Sequence, residues 1–317
     1  MKITEHLKKA KSTIFSFELL PPLKGESIQT SFEAIDRLLE FEPSFINVTY
    51  HREEYIYKEL ENGLLEKISI RKRPGTLGLC SAIMNKYHID AIPHMTCGGF
   101  SKEENENELI DLNFLGVENI LVIRGDPIKT ELSFTPNQNG HKYSTELLQQ
   151  ITNMNNGIYL DKDIENPTRT DFCAGVAGYP EKHIEAPNMK TDLSHLKMKV
   201  DLGAEFIMTQ MFFDNEKYYN FVKACRDIGI NIPIIPGLKT LTQKAQLLKL
   251  PKMFNIDIPD ELSDEILKCK TDKEVKEVGL EWTIKQSKEL IKFGVPCLHY
   301  YTMGKTKLTK KIAEQVF

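Results

Sequence analysis

The chain has 317 residues, 41% hydrophobic and 27% charged, which fits one large α/β domain or two ordinary ones and excludes a small module or a disordered chain. Its 41 basic and 45 acidic residues leave a net charge of −4, which argues against a protein that coats nucleic acid. No apolar run approaches the roughly 20 residues of a membrane helix, and the charged residues 1–11 hold no secretory apolar region. Six single cysteines, without a CxxC pair, read as the reduced thiols of a cytoplasmic protein.

In chain order, short β-branched or aromatic runs predict strands at 14–19, 45–49, 91–96, 120–124, 172–177, 205–211, 232–236 and 297–302. Amphipathic patterns predict helices at 31–40, 55–71, 77–87, 102–115, 144–154, 191–202 and 215–228. Four more follow at 243–249, 260–269, 273–293 and 305–316. Ser101 with Glu103 and Glu104, and Thr191 with Asp192, read as helix starts; Gly203, Gly229 and Gly294 read as stops. Residues 127–142 and 157–171 are loops by their Asn, Asp, Pro and Gly content.

Eight strands alternating with helices predict parallel βαβ units and an α/β fold of the (β/α)8 TIM-barrel type, for which about 250 residues plus insertions is usual. The first strand runs into Glu18-Leu19-Leu20-Pro21-Pro22 rather than a Gly-rich turn, which disfavours an open nucleotide-binding sheet. Residues 1–317 read as a single catalytic domain, with 260–293 as a helical insertion before the last strand.

In a barrel, reactive side chains project from the C-terminal ends of the strands. Those positions hold Glu18, Thr49-Tyr50-His51, His94 with Thr96, Arg124-Gly125-Asp126, Tyr179 with Glu181 and His183, Gln210, and His299 with Tyr301 and Lys305. Glu18 lies among aromatic and aliphatic neighbours, so it is either an acid with a raised pKa or a rim carboxylate paired to a basic residue. Arg124-Gly125-Asp126 is either a ligand-contacting turn or an ordinary turn with an ion pair. Gln210 suits a flat heteroaromatic ligand or a structural amide equally. His94 and His183 stand alone, no metal-ligand spacing occurs, and neither GxGxxG nor GxxxxGK[ST] is present.

Several segments then fall into one pattern: residues 15–22, Val48-Thr49-Tyr50, Pro93-His94-Met95-Thr96-Cys97, Ile123-Arg124-Gly125-Asp126, residues 178–186, residues 206–214, Ile234-Ile235-Pro236-Gly237 and His299-Tyr300-Tyr301-Thr302. Together, over residues 14–302, they resemble methylenetetrahydrofolate reductase of the bacterial type that consists of the catalytic domain alone. The resemblance implies a barrel with non-covalent FAD that reduces 5,10-methylenetetrahydrofolate to 5-methyltetrahydrofolate with NADH or NADPH. The reaction is ping-pong, with hydride passing through flavin N5, and feeds methionine synthesis. It implies Glu18 as the general acid that protonates N10 so that the five-membered ring opens to the 5-iminium cation. It implies Asp126 beside the flavin and pterin, and Gln210 meeting folate and nicotinamide in turn. Folate contacts extend to Thr49, Tyr301 and Lys305.

By the same resemblance, flavin contacts fall on Thr49, Tyr50, His94, Ile123, Arg124, Gly125, Asp126, Tyr143, Ser144, Tyr179, His183, Ala186, Asp192, His195 and Lys199. Arg124 and Lys199 are the cations for the pyrophosphate or adenosine end. The chain departs from the pattern at Met198 and Lys305, where arginines are common, at His195 in place of an asparagine, and at Lys244 near a substrate-stacking aromatic. A homo-oligomer with no metal, no membrane and no nucleic-acid partner is expected, as is the absence of a regulatory C-terminal domain and of inhibition by S-adenosylmethionine. The preferred nicotinamide stays open, since no ribose-reading motif is present. So do two other classes: a metal-assisted lyase or hydrolase on the same barrel, and a non-catalytic flavin- or folate-binding relative.

Overall fold

The computed structural model describes residues 1–128 and 131–317. Its strands are β1 (Ile14–Leu19), β2 (Phe45–Val48), β3 (Glu54–Glu59), β4 (Leu65–Ile70), β5 (Asp90–Thr96), β6 (Asn119–Ile123), β7 (Cys173–Gly178), β8 (Phe206–Thr209), β9 (Ile234–Ile235), β10 (Gly237–Leu238) and β11 (Cys297–Tyr300). Nine of them form one sheet in the order β10-β11-β1-β2-β5-β6-β7-β8-β9, every pair parallel. The two ends of this order, β9 and β10, are separated in the chain only by Pro236. The ring therefore closes through the chain itself, giving the eight staves of a (β/α)8 barrel. Pro236 has no N–H for the ladder, yet its carbonyl accepts from His299 N at 3.1 Å, so the break costs little pairing.

The helices that alternate with the staves are α2 (Gln29–Asp36), α3 (Thr76–Tyr87), α4 (Lys102–Phe114), α5 (Ser144–Asn155), α6 (Met189–Asp201), α7 (Asn215–Asp227), α10 (Asp272–Phe293) and α11 (Thr306–Val316). Between β10 and α10 lie α8 (Gln246–Phe254) and α9 (Asp260–Lys268), whose apolar faces meet in a satellite core with Met211, Phe213 and Leu241. The inserted element is thus α8–α9. Helix α10 is the ordinary barrel helix, with Gln286 bonded to Phe212 O at 3.0 Å and Ser287 to the Tyr300 hydroxyl at 2.9 Å. Gly203, Gly229 and Gly294 end their helices with positive φ, and Ser101 with Glu104 forms a capping box.

Three local expectations need correction. Residues 55–71, predicted as a helix, form the antiparallel β3–β4 hairpin. Tyr55, Ile56, Tyr57, Ile68 and Ile70 favour a pleated strand, and Asn62-Gly63 supplies the turn, with Gly63 at φ +76° and Asn62 Oδ1 accepting from Leu64 N at 3.1 Å. Helix α6 opens two residues before Thr191, because Asn188 caps it by accepting from Thr191 N at 2.9 Å. Finally, α1 (Ile3–Lys9) precedes the first strand and was not anticipated. Its charged residues hide one fully buried anchor, Ile3, which packs into the barrel floor and donates from its backbone to Asn119 Oδ1 at 2.7 Å.

Side chains alternate across each strand, so the interior is built in layers. At the floor, Ile14, Phe45, Ile92, Leu121, Cys173, Phe206 and Cys297 form a dry cluster. Two residues further along their strands come Ser16, Asn47, His94, Met208 and His299, joined by polar contacts. Another two residues on, the same rows carry Glu18, Thr49, Thr96, Gln210 and Tyr301. The interior thus turns from apolar to polar and then ionisable along one axis, and the ionisable end is where the connecting loops converge.

Candidate active site

Glu18, the penultimate residue of β1, points inward and is 5% exposed. Burial pushes its carboxyl up to about 7, against the pull of the Lys239 ammonium and a hydrogen bond from Thr49. Its closest basic atom is His94 Nε2 at 4.0 Å. That contact is no ion pair near neutrality, because burial drives the His94 imidazole down to about 3 and keeps it neutral. His94 Nε2 lies 3.2 Å from Asn47 Nδ2, while His299 Nδ1 lies 2.9 Å from Ser16 Oγ. Beneath the mouth, His94 Nδ1, Asn47 Oδ1 and His299 Nε2 are buried without hydrogen-bond partners among the described residues. Such groups call for a ligand or water to satisfy them.

Two staves from Glu18, with Tyr301 between them, stands Lys239, half-buried just past β10. Its Nζ donates to Tyr301 O at 2.9 Å, and the Tyr301 hydroxyl donates to Thr209 O at 2.6 Å. Gly237 makes room for this ring: a Cβ there would stand 2.4 Å from Tyr301 Cε2. Burial lowers the Lys239 pKa to about 8, with Glu18 acting to raise it. Lys239 was not among the residues singled out from sequence, where it is one lysine after Pro236-Gly237-Leu238; the signal was its place immediately beyond a strand end. Gln210 directly follows the neighbouring stave, β8; its Oε1 accepts from Met211 N at 3.0 Å, and its amide nitrogen has no partner among the described residues. Tyr50 is held between the Phe100 ring at 5.0 Å and the Arg71 guanidinium at 5.1 Å. Asp126 and Lys305 are exposed on the rim.

Beside the mouth, the ends of β6 and β7, the first turn of α5 and one face of α6 from Asp192 to Lys199 line a cavity of about 500 Å³. Arg124 and Lys199 line it with Val122, Ala177, Tyr179 and Met198. The two cations differ. Arg124 is engaged by Glu185 through a bidentate pair at 2.6 and 2.7 Å, and its guanidinium lies 4.9 Å from the Phe134 ring centre. Lys199 has neither a salt bridge nor a hydrogen bond among the described residues, and burial lowers its pKa although Asp192 partly offsets this. Asp192 Oδ2 itself accepts from His183 N at 2.9 Å, and His183 Nδ1 accepts from Glu185 N at 3.2 Å. A half-buried ammonium in a cavity, with no ion-pair or hydrogen-bond partner among the described residues, is the chemistry of an anion site.

The family model for methylenetetrahydrofolate reductase matches residues 2–316. The chain belongs to the methylenetetrahydrofolate reductase family. It is 32% identical to methylenetetrahydrofolate reductase 1 of Schizosaccharomyces pombe, covering 100% of this chain and 48% of that protein. It is 30% identical to 5,10-methylenetetrahydrofolate reductase of Salmonella typhimurium, covering 94% of this chain and 88% of that one. It thus spans about half the length of its fungal relative but most of the bacterial one. Among solved structures, a Clostridium thermocellum protein described as binding two copies of 5-methyl-5,6,7,8-tetrahydrofolic acid superposes with a TM-score of 0.57 over 99% of this chain and 98% of that one, at 15% identity. At that identity the likeness concerns the fold.

Within this methylenetetrahydrofolate reductase family member, the positions assigned to the cofactor from sequence separate into two groups. Ile123, Arg124, Tyr143, Ser144, Tyr179, His183, Ala186, Asp192, His195 and Lys199 line the cavity. Thr49, Tyr50, His94, Gly125 and Asp126 are at the strand ends next to it and outside its lining. Met198 and His195 both stand on the exposed side of α6. Lys244 is turned away from the mouth: its Nζ donates to Leu267 O at 2.8 Å and Cys269 O at 2.7 Å, capping the C-terminal end of α9.

Proposed function

We propose that this chain, acting as one domain, reduces 5,10-methylenetetrahydrofolate to 5-methyltetrahydrofolate with NADH or NADPH through bound FAD. The observation that carries the reading is Glu18, a buried carboxyl at the barrel mouth whose pKa burial raises to about 7. A carboxyl of that kind is still partly protonated at neutral pH, as delivery of a proton to N10 of the folate requires. Opening of the five-membered ring to the 5-iminium cation then follows at a site with Asp126 on its rim to favour positive charge.

The residues present fit a flavin nucleotide. Lys199 offers an unpaired half-buried ammonium to its diphosphate, and Arg124 offers a planar fork once Glu185 is displaced. When bound, the flavin supplies two-electron transfer between nicotinamide and folate. Around it, Thr49, Tyr50, His94 and Gly125 shape the mouth, and Tyr143, Ser144, Tyr179, His183, Ala186, Asp192 and His195 enclose the distal half. Gln210 has the free amide that can meet a carboxamide or a pterin in turn. Tyr301 and Lys305 lie on the side left for the folate tail. The reading extends to a homo-oligomer in the cytoplasm, and no helix of the described residues is long and apolar enough to cross a membrane.

Anaerobic half-reactions test this. The purified protein is expected to be yellow, to bleach with NADH or NADPH, and to regain its colour on adding methylenetetrahydrofolate. A protein that takes up no FAD, or that bleaches and does not recover, overturns the proposal.

A further inference from the structure

Three neighbouring staves bring Lys239, Tyr301 and Glu18 into one row. Leu238 is in register with Tyr300, and Tyr300 with Phe17, so the next residue of each stave shares a level and an inward direction. Adjacent parallel strands lie about 4.8 Å apart, which puts Lys239 and Glu18 roughly 10 Å apart at their α-carbons, within the combined reach of the two side chains. The lysine already leans across the middle member, its Nζ bonded to Tyr301 O at 2.9 Å. Glu18 is fixed from the same stave, since Thr302 Oγ1 donates to its backbone carbonyl at 2.6 Å. The other groups around the carboxyl carry no positive charge near neutrality: Thr49 past β2, the neutral His94 on β5, and the Tyr301 phenol. Lys305, at the start of α11, acts on Lys239 and repels it. Lys239 is therefore the one cation among the described residues that bears on Glu18.

Resting on the assignment of Glu18 as the acid, we propose that Lys239 is a positioning residue: its ammonium holds the Glu18 carboxyl in the mouth and fixes the pH at which that acid gives up its proton. Without it, burial alone would keep the carboxyl protonated to higher pH and make it a poorer donor. With it, the acid titrates close to neutrality, where a general acid is both loaded and able to transfer.

The test follows the folate half-reaction against pH by anaerobic reoxidation of the reduced holoenzyme, with flavin reduction by nicotinamide as the internal reference. In Lys239→Met, and in Lys239→Gln as a second neutral variant, the alkaline limb of reoxidation is expected to move up by about 1 pH unit. Lys239→Arg restores the limb to its original place. In the resting holoenzyme, the infrared carboxyl band that disappears in Glu18→Gln titrates with the same displacement. An unmoved limb in both neutral variants, or an equal shift in Lys239→Arg, overturns the inference. These outcomes are separable from failure of the underlying reading: reoxidation that survives in Glu18→Gln removes the acid assignment, and a protein without either half-reaction removes the reductase.

Discussion

The mouth around Glu18 and the cavity around Lys199 both bury ionisable groups, but they resolve the cost differently. In the mouth, a carboxyl and an ammonium share one row; burial brings both pKa values towards neutrality, and each partner opposes that shift in the other. In the cavity, Arg124 has a carboxylate partner while Lys199 has none among the described residues. The first arrangement suits proton transfer, because either member can change charge at small cost. The second suits capture of a permanent anion, because only a ligand can neutralise the lysine. One barrel end thus holds two electrostatic designs side by side.

The largest expected effect tests the mouth. Glu18→Gln should lower the folate half-reaction by about 10²- to 10⁴-fold while flavin reduction persists, measured by anaerobic stopped-flow absorbance. Next comes the cavity: Lys199→Met should weaken flavin binding on the order of 10- to 100-fold in a fluorescence titration. The same variant should melt a few degrees higher than the parent when both are free of flavin, because a half-buried unpaired charge has been removed. A flavin-free Lys199→Met that melts lower would erase the contrast between the two regions.

Protonation separates the layers further. His94 and His299 have folded pKa values lowered to about 3 by burial, so the unfolded chain binds their protons more readily. Their contribution to stability is present above the ordinary histidine pKa and is lost as the pH falls from about 6.5 towards 3. Glu18 has the opposite sign: its raised pKa gives stability that is present below about 4.5 and fades as the pH rises through about 7. Replacing His299 with Asn should therefore reduce the acid-side loss of stability by on the order of 2 kcal/mol, read from denaturant midpoints across that range. The smallest effect belongs to the exposed pair: Glu185→Gln frees Arg124 and should tighten flavin binding about two- to threefold.

Much of this was legible in the amino-acid sequence, for identifiable reasons. The barrel staves are short β-branched or aromatic runs, and their ends carry Glu18, Arg124 and Gln210 where a barrel puts its chemistry. What escaped depended on distance or on ambiguous pattern. The charge spacing of residues 55–71 imitates a helix, against the β-branched and aromatic residues on either side of the Asn62-Gly63 turn that favour a hairpin. The α1 helix has a single fully buried anchor, Ile3, too little for periodicity to register. Arg124 and Glu185 are 61 residues apart, so their pairing, which occupies the guanidinium expected to meet a phosphate, has no local signature. Lys239 acquires meaning only when closure of the ring sets it two staves from Glu18.

The β3–β4 hairpin hydrogen-bonds as its own two-stranded sheet and contributes no rung to the barrel. Leu64 and Leu65 near its tip are 64% and 65% exposed. A protease that cuts at residues 61–63 would therefore sever the polypeptide without breaking any bond of the barrel ladder. The two fragments should remain associated and keep their melting transition, so that a doublet on a denaturing gel would accompany an unchanged native particle.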